Sequence, residues 1–160
     1  MQTDNQVKDF LFDLQGKKDV TGVSKDTQDA RRNILNLKIL VCLDVSGSIS
    51  PKIFAQFMKQ LDLIRGLSIV KVLEIDSEVI AMYDYFIKQK HTISRLQGGG
   101  STEFLAAFEA AKQIKPDAIL FMTDGDVFDT VQDPGIPTGW ILTADGVHPY
   151  GFGTVVTRLP

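Results

Sequence analysis

The chain predicts a three-layer α/β domain: a doubly wound, mostly parallel sheet with one antiparallel edge strand. Three observations carry that expectation. Strand-like and helix-like segments alternate from Ile34 onward. The strands Leu37–Leu43 and Pro116–Met122 are nearly continuous apolar runs, as required of strands covered on both faces. Asp76-Ser77 separates two short apolar segments and marks a hairpin, which places an antiparallel strand at one edge.

Taken in order, residues 5–14 set Val7, Phe10, Leu11 and Leu14 at helical spacing. This helix either packs on the domain, serves as a docking handle, or is the stub of something longer. Gln15 to Asn33 is polar, with Gly16, Gly22, three lysines and two arginines, and reads as a linker. The chain thus divides into an N-terminal helix and polar linker, residues 1–33, and a domain over residues 34–160. Leu37–Leu43 is its central strand. Ser50 and Pro51 supply the cap and first position of a helix. Ile53, Phe54, Phe57, Met58, Leu61 and Ile64 continue it as an apolar stripe, and Gly66 ends it. Ser68–Ile75 and Val79–Phe86 form the hairpin. His91 to Gly100 is a loop closing on Gly98-Gly99-Gly100, after which Ser101 is placed to cap a helix running to Ile114. Pro116–Met122 is a second buried strand, Thr123 to Pro137 a polar loop, and Gly139–Thr143 and Thr154–Leu159 two further short strands.

Bulk properties exclude several classes of function. At 160 residues, with 44% hydrophobic and 23% charged residues, the chain is long and apolar enough to bury one core. A net charge of −3 without a Lys/Arg cluster argues against nucleic-acid binding. Cys42 is the single cysteine, so no intrachain disulfide forms, and a cytoplasmic setting is expected. The N-terminus carries no basic-then-apolar signal pattern, and no apolar run approaches the ~20 residues that span a bilayer, so no membrane partner is expected.

Ligands of open α/β sheets bind at the carboxyl ends of the strands, and the chemistry-bearing segments all fall there. The first strand runs into Asp44-Val45-Ser46-Gly47-Ser48. The glycine loop delivers Ser101-Thr102-Glu103. The strand ending at Met122 runs into Thr123-Asp124-Gly125-Asp126. Hydroxyls and carboxylates converge without His or Cys, a donor set that suits Mg²⁺ or Mn²⁺ and not Zn²⁺.

These three segments, in this order, resemble the metal-ion-dependent adhesion site of von Willebrand factor A (VWA) domains, across roughly residues 34–160. The resemblance implies a Rossmann-like sheet and a non-catalytic module that binds a partner's Asp or Glu through Mg²⁺ (or Mn²⁺). It further implies that Ser46 and Ser48 ligate the ion directly and Thr102 directly or through water. Asp44 and Asp124 would then act mostly through water and hydrogen bonds. Trp140-Ile141-Leu142 and Pro149-Tyr150-Gly151 resemble a bacterial and phage VWA-like branch. In that branch the domain often closes a metallopeptidase-like chain, and operons commonly pair it with a MoxR-type AAA+ ATPase. Two departures stand out. Glu103 replaces the Asp usual after the family's Thr, and the short loop before Thr102 implies that a helix of larger members is missing. No His-Glu-x-x-His pattern accompanies His91 or His148.

Other readings remain. A vestigial metal site leaves an accessory scaffold whose N-terminal segment makes the main contact. An Mg²⁺-dependent phosphatase of the haloacid dehalogenase type also starts from an Asp at a strand end, but needs a second Asp where this chain has Ser46, a poor general acid. A serine hydrolase lacks its Gly-x-Ser-x-Gly elbow, and the triple glycine lacks the Gly-Lys-Ser/Thr of a phosphate loop. Asp126 and Asp129 read as solvated loop acids, Asp76 and Glu78 as turn residues, His148 as a loop histidine, and Trp140 and Cys42 as core.

Overall fold

A computed structural model describes residues 2–20, 35–85 and 102–160. Most of the expected linker, Phe86, His91, the glycine loop and Ser101 lie outside the described residues, as does the stretch where a missing helix was expected. The elements are α1 (Gln2–Val20), β1 (Lys38–Asp44), α2 (Pro51–Leu67), β2 (Ile69–Ile75), β3 (Val79–Tyr85), α3 (Leu105–Ile114), β4 (Ala118–Thr123), β5 (Thr138–Leu142) and β6 (Thr154–Arg158).

The six strands form one sheet in the order β3-β2-β1-β4-β5-β6. Every pairing is parallel except β2 with β3, the hairpin at one edge. The expected fold class is therefore the observed one, with β1 and β4 at the centre. Alternation along β1 splits the core in two. Ile39, Val41 and Leu43 face α1 and α2, while Leu40 and Cys42 face α3.

Local chemistry explains most boundaries. Ser50 Oγ accepts the Ile53 amide at 3.2 Å, with Pro51 at the first helical position. At the other end α2 runs one residue past Gly66, because the amide and the hydroxyl of Ser68 both donate to Ile64 O, at 3.0 and 2.8 Å. Asp76 Oδ1 accepts the amides of Ser77 and Glu78, the Asx turn expected of the hairpin.

Two elements differ from expectation. Helix α1 runs from Gln2 to Val20, well beyond residues 5–14. Gly16 weakens it by ~1 kcal/mol relative to Ala, but its second half is tied down. Gln15 bonds Asp19 one turn on, and Lys18 Nζ reaches Asn36 O at 2.8 Å and Asp117 Oδ2 at 3.0 Å. Val7 and Leu11 are fully buried in the α2-side core, and Gln6 bonds Thr157 of β6. Gly139 permits this packing, since a Cβ there would lie 2.9 Å from the Phe10 ring and 2.6 Å from Leu120.

Helix α3 is the other. It begins at Leu105, with Phe104 in the cap position and no side-chain cap of its own, and not at a Ser101 cap. It stops where Lys115 turns left-handed at φ 55°. No helix lies between β4 and β5 or between β5 and β6; loops close that face. Val131, Tyr150 and Phe152 pack there against Trp140 and Phe121, whose rings stack 4.7 Å apart. Trp140 Nε1 donates to Phe152 O at 2.8 Å, so the indole is a satisfied core group.

Candidate metal site

Four of the five expected site residues form one hydrogen-bonded cluster at the carboxyl ends of β1 and β4. Parallel pairing of Leu43 with Met122 brings the two strand ends side by side, so the loops after them meet. Asp44, fully buried, accepts the Ser46 amide on Oδ1 at 2.9 Å and the Thr123 hydroxyl on Oδ2 at 2.6 Å. The Thr123 oxygen accepts the Gly125 amide at 3.0 Å, curling the β4 loop back over the strand. Ser48 Oγ donates to Asp124 Oδ2 at 2.7 Å, and Asp124 Oδ1 accepts the Asp126 amide at 3.0 Å. Ser46 Oγ and Ser48 Oγ are 3.2 Å apart.

Thr102, the fifth, is buried and held among the same loops by backbone bonds. Its carbonyl accepts the Phe128 amide at 2.9 Å, and the next residue, Glu103, donates its amide to Asp76 O at 2.9 Å. Asp76 follows β2, whose Ile75 carbonyl accepts the Val45 amide at 2.9 Å. A continuous ladder thus runs from the Asp44 loop through Asp76 to Thr102. Gly125 closes the opposite side. At φ 77° it lies so near Val147 that a Cβ would fall 1.6 Å from the Val147 carbonyl oxygen.

Burial pushes the Asp44 carboxyl above its ordinary range, and the negative charge of Asp124 adds to this; hydrogen bonds from Ser46 and Thr123 act the other way. A cation would relieve both of the raising effects. The donor set fits Mg²⁺. Two adjacent oxygens on an octahedral ion at 2.0–2.1 Å are about 3 Å apart, close to the 3.2 Å between the serine hydroxyls. Among the described residues no three His, Cys, Asp or Glu side chains gather in a metal-binding group.

Asp129 departs from the expectation of a solvated acid. Its Oδ2 accepts the Leu105 amide at 2.9 Å, and its Oδ1 accepts the Tyr150 hydroxyl at 2.5 Å. Asp126 is exposed, and His148, also exposed, places Nε2 2.7 Å from Phe152 O. Tyr150 stood in the Pro149-Tyr150-Gly151 motif, but the contacts of Asp129 and Tyr150 carried no local signal, because each acts on a helix end distant in sequence.

Fold and site define a three-layer α/β protein with a polar, hydroxyl-rich centre where two parallel strands end. The VWA-like domain family (DUF2201) matches residues 39–158, and the chain belongs to it. Such domains are, as a class, protein-interaction modules. Among solved structures, the chain is similar to a crystal structure of an aerotolerance-related membrane protein from Bacteroides fragilis NCTC 9343, carrying multiple mutations to serines. That similarity has a TM-score of 0.51 at 14% identity, covers 67% of each chain, and concerns the fold alone. A search of curated proteins finds no match. No described helix is long and apolar enough to cross a membrane.

Proposed function

We propose that this chain is a non-catalytic, metal-dependent protein-binding module. Ser46, Ser48 and Thr102 would hold one Mg²⁺ (or Mn²⁺), with Asp44 and Asp124 orienting the hydroxyls and balancing the charge. The observation that carries the reading is the Ser46–Ser48–Asp124 cluster backed by the buried Asp44. Bound there, the ion would supply a coordination position for a carboxylate from outside.

The chain's own residues favour binding over turnover. Both Asp44 oxygens are engaged and the residue is fully buried, so it is not presented as a nucleophile. Ser46 stands where a phosphatase of the haloacid dehalogenase type would need its acid. The partner would offer an Asp or Glu. On the VWA-like resemblance, it is a MoxR-type AAA+ ATPase or a protein such an ATPase remodels, acting in the cytoplasm.

The test is capture of a purified MoxR-type ATPase from the same genome, in Mg²⁺ and in EDTA. Binding is expected in Mg²⁺ only, and to be lost in Ser46→Ala/Ser48→Ala while the fold persists. Removing the partner's carboxylate should cost ~2–5 kcal/mol, as for one side of a buried charged pair. Equal binding in both buffers, or hydrolysis of p-nitrophenyl phosphate that dies with Asp44→Asn, would overturn the reading.

A further inference from the structure

Asp44 ends β1 and Asp124 directly follows β4, whereas Thr102 to Phe104 is irregular chain ahead of a helix that lacks a side-chain cap of its own. The free amides at that helix start are instead met from two other loops. Phe104 N–H donates to the Tyr150 hydroxyl at 3.3 Å, Leu105 N–H donates to Asp129 Oδ2 at 2.9 Å, and the Tyr150 hydroxyl donates to Asp129 Oδ1 at 2.5 Å. The residue before Asp129, Phe128, holds the Thr102 carbonyl. Asp129 also places a negative charge at the positive end of the α3 dipole.

Tyr150 is held under constraint to do this. Its φ is 61°, the left-handed region that a bulky L-residue enters only when its surroundings impose it. Its ring stacks on Phe152 at 5.8 Å and meets the edge of Phe108 at 6.1 Å. Burial, with the Asp129 charge, pushes the phenol well above its ordinary range, so it remains a donor at neutral pH.

We propose that Asp129 and Tyr150 are positioning residues that lock the Thr102–Leu105 segment in place and so set the third hydroxyl of the metal site. This rests on the metal reading above. Neither side chain touches the ion in this proposal; both act through Thr102.

Calorimetric titration of the full chain with MgCl₂ tests it. Tyr150→Phe and Asp129→Asn should each weaken Mg²⁺ by about tenfold or more, the range found when groups supporting a metal ligand are changed. On a Thr102→Ala background the same substitutions should have little further effect, because no hydroxyl is left to position. A merely structural role would not produce that dependence on Thr102. Near-UV circular dichroism of Trp140 checks folding, and Asp129→Asn alone carries the test if Tyr150→Phe does not fold. Affinities within about twofold of wild type, or undiminished losses on Thr102→Ala, would overturn the proposal alone. A flat wild-type titration would overturn the metal reading and this proposal with it.

Discussion

The Thr123 hydroxyl donates to Asp44 Oδ2 at 2.6 Å, joining the ends of the two central strands through a bond in which both residues are fully buried. Thr123→Val preserves shape but leaves that carboxylate oxygen and the Gly125 amide without their partner. An expected loss of ~1–3 kcal/mol follows from stranding a buried polar group. Urea denaturation measures it, and a midpoint equal to wild type would show the bond to be dispensable.

Two glycines share a φ of 77° but differ in surroundings. A Cβ at Gly125 meets Val147 O at 1.6 Å, while one at Gly135 meets nothing within 4 Å. Gly135→Ala should therefore cost only the left-handed penalty of ~1–2 kcal/mol. Gly125→Ala should cost distinctly more, since the β4 and β5–β6 loops must separate. Similar melting temperatures for the two variants would contradict this.

Magnesium should stabilise the protein if the hydroxyl cluster binds it. At a concentration 100-fold above Kd the linkage amounts to ~2.7 kcal/mol, read as a rise in melting temperature that EDTA reverses. Ser48→Ala and Asp124→Ala should abolish the rise, because the 2.7 Å pair they form is lost in either. An equal rise in wild type and both variants would place any Mg²⁺ effect elsewhere.

Glu74 is buried in β2, and burial pushes its carboxyl above the ordinary range, with a hydrogen bond from Tyr83 opposing the shift. The folded state then holds the proton more tightly than the unfolded chain. Stability on this account is fully present below the unfolded pKa and is lost as pH rises through the raised folded pKa. Glu74→Gln should remove that part of the slope and should be relatively favoured at neutral pH. Denaturation midpoints from acidic to neutral pH would show parallel profiles if Glu74 were not responsible.

Cys42 is wholly buried in β1, and burial pushes its thiol far above the ordinary range. A disulfide reagent such as DTNB should leave the native protein unlabelled and titrate one thiol in denaturant. Labelling at the rate of an exposed thiol in the native state would mean that the central sheet opens readily.

Features encoded by neighbouring residues could be read from the chain alone. Continuous apolar strands, the Ser50-Pro51 helix start, the Asp76 turn and the hydroxyl-carboxylate loops after β1 and β4 each depend on residues a few positions apart. Their placement at one end of the sheet follows from parallel pairing, so Asp44, Ser46, Ser48 and Asp124 were legible as a group. Features that depend on distant partners emerge only once the chain is folded. Helix α1 extends past Gly16 because Lys18 finds Asp117, 99 residues along the chain. The start of α3 is met by Asp129 and Tyr150, 24 and 46 residues from the amides they accept. A helix end signals its cap in sequence when its own flanking residues provide it. Here the amides are satisfied from loops that reach them only after the sheet has brought β4 beside β1 and β5 beside β4, and no local periodicity records that.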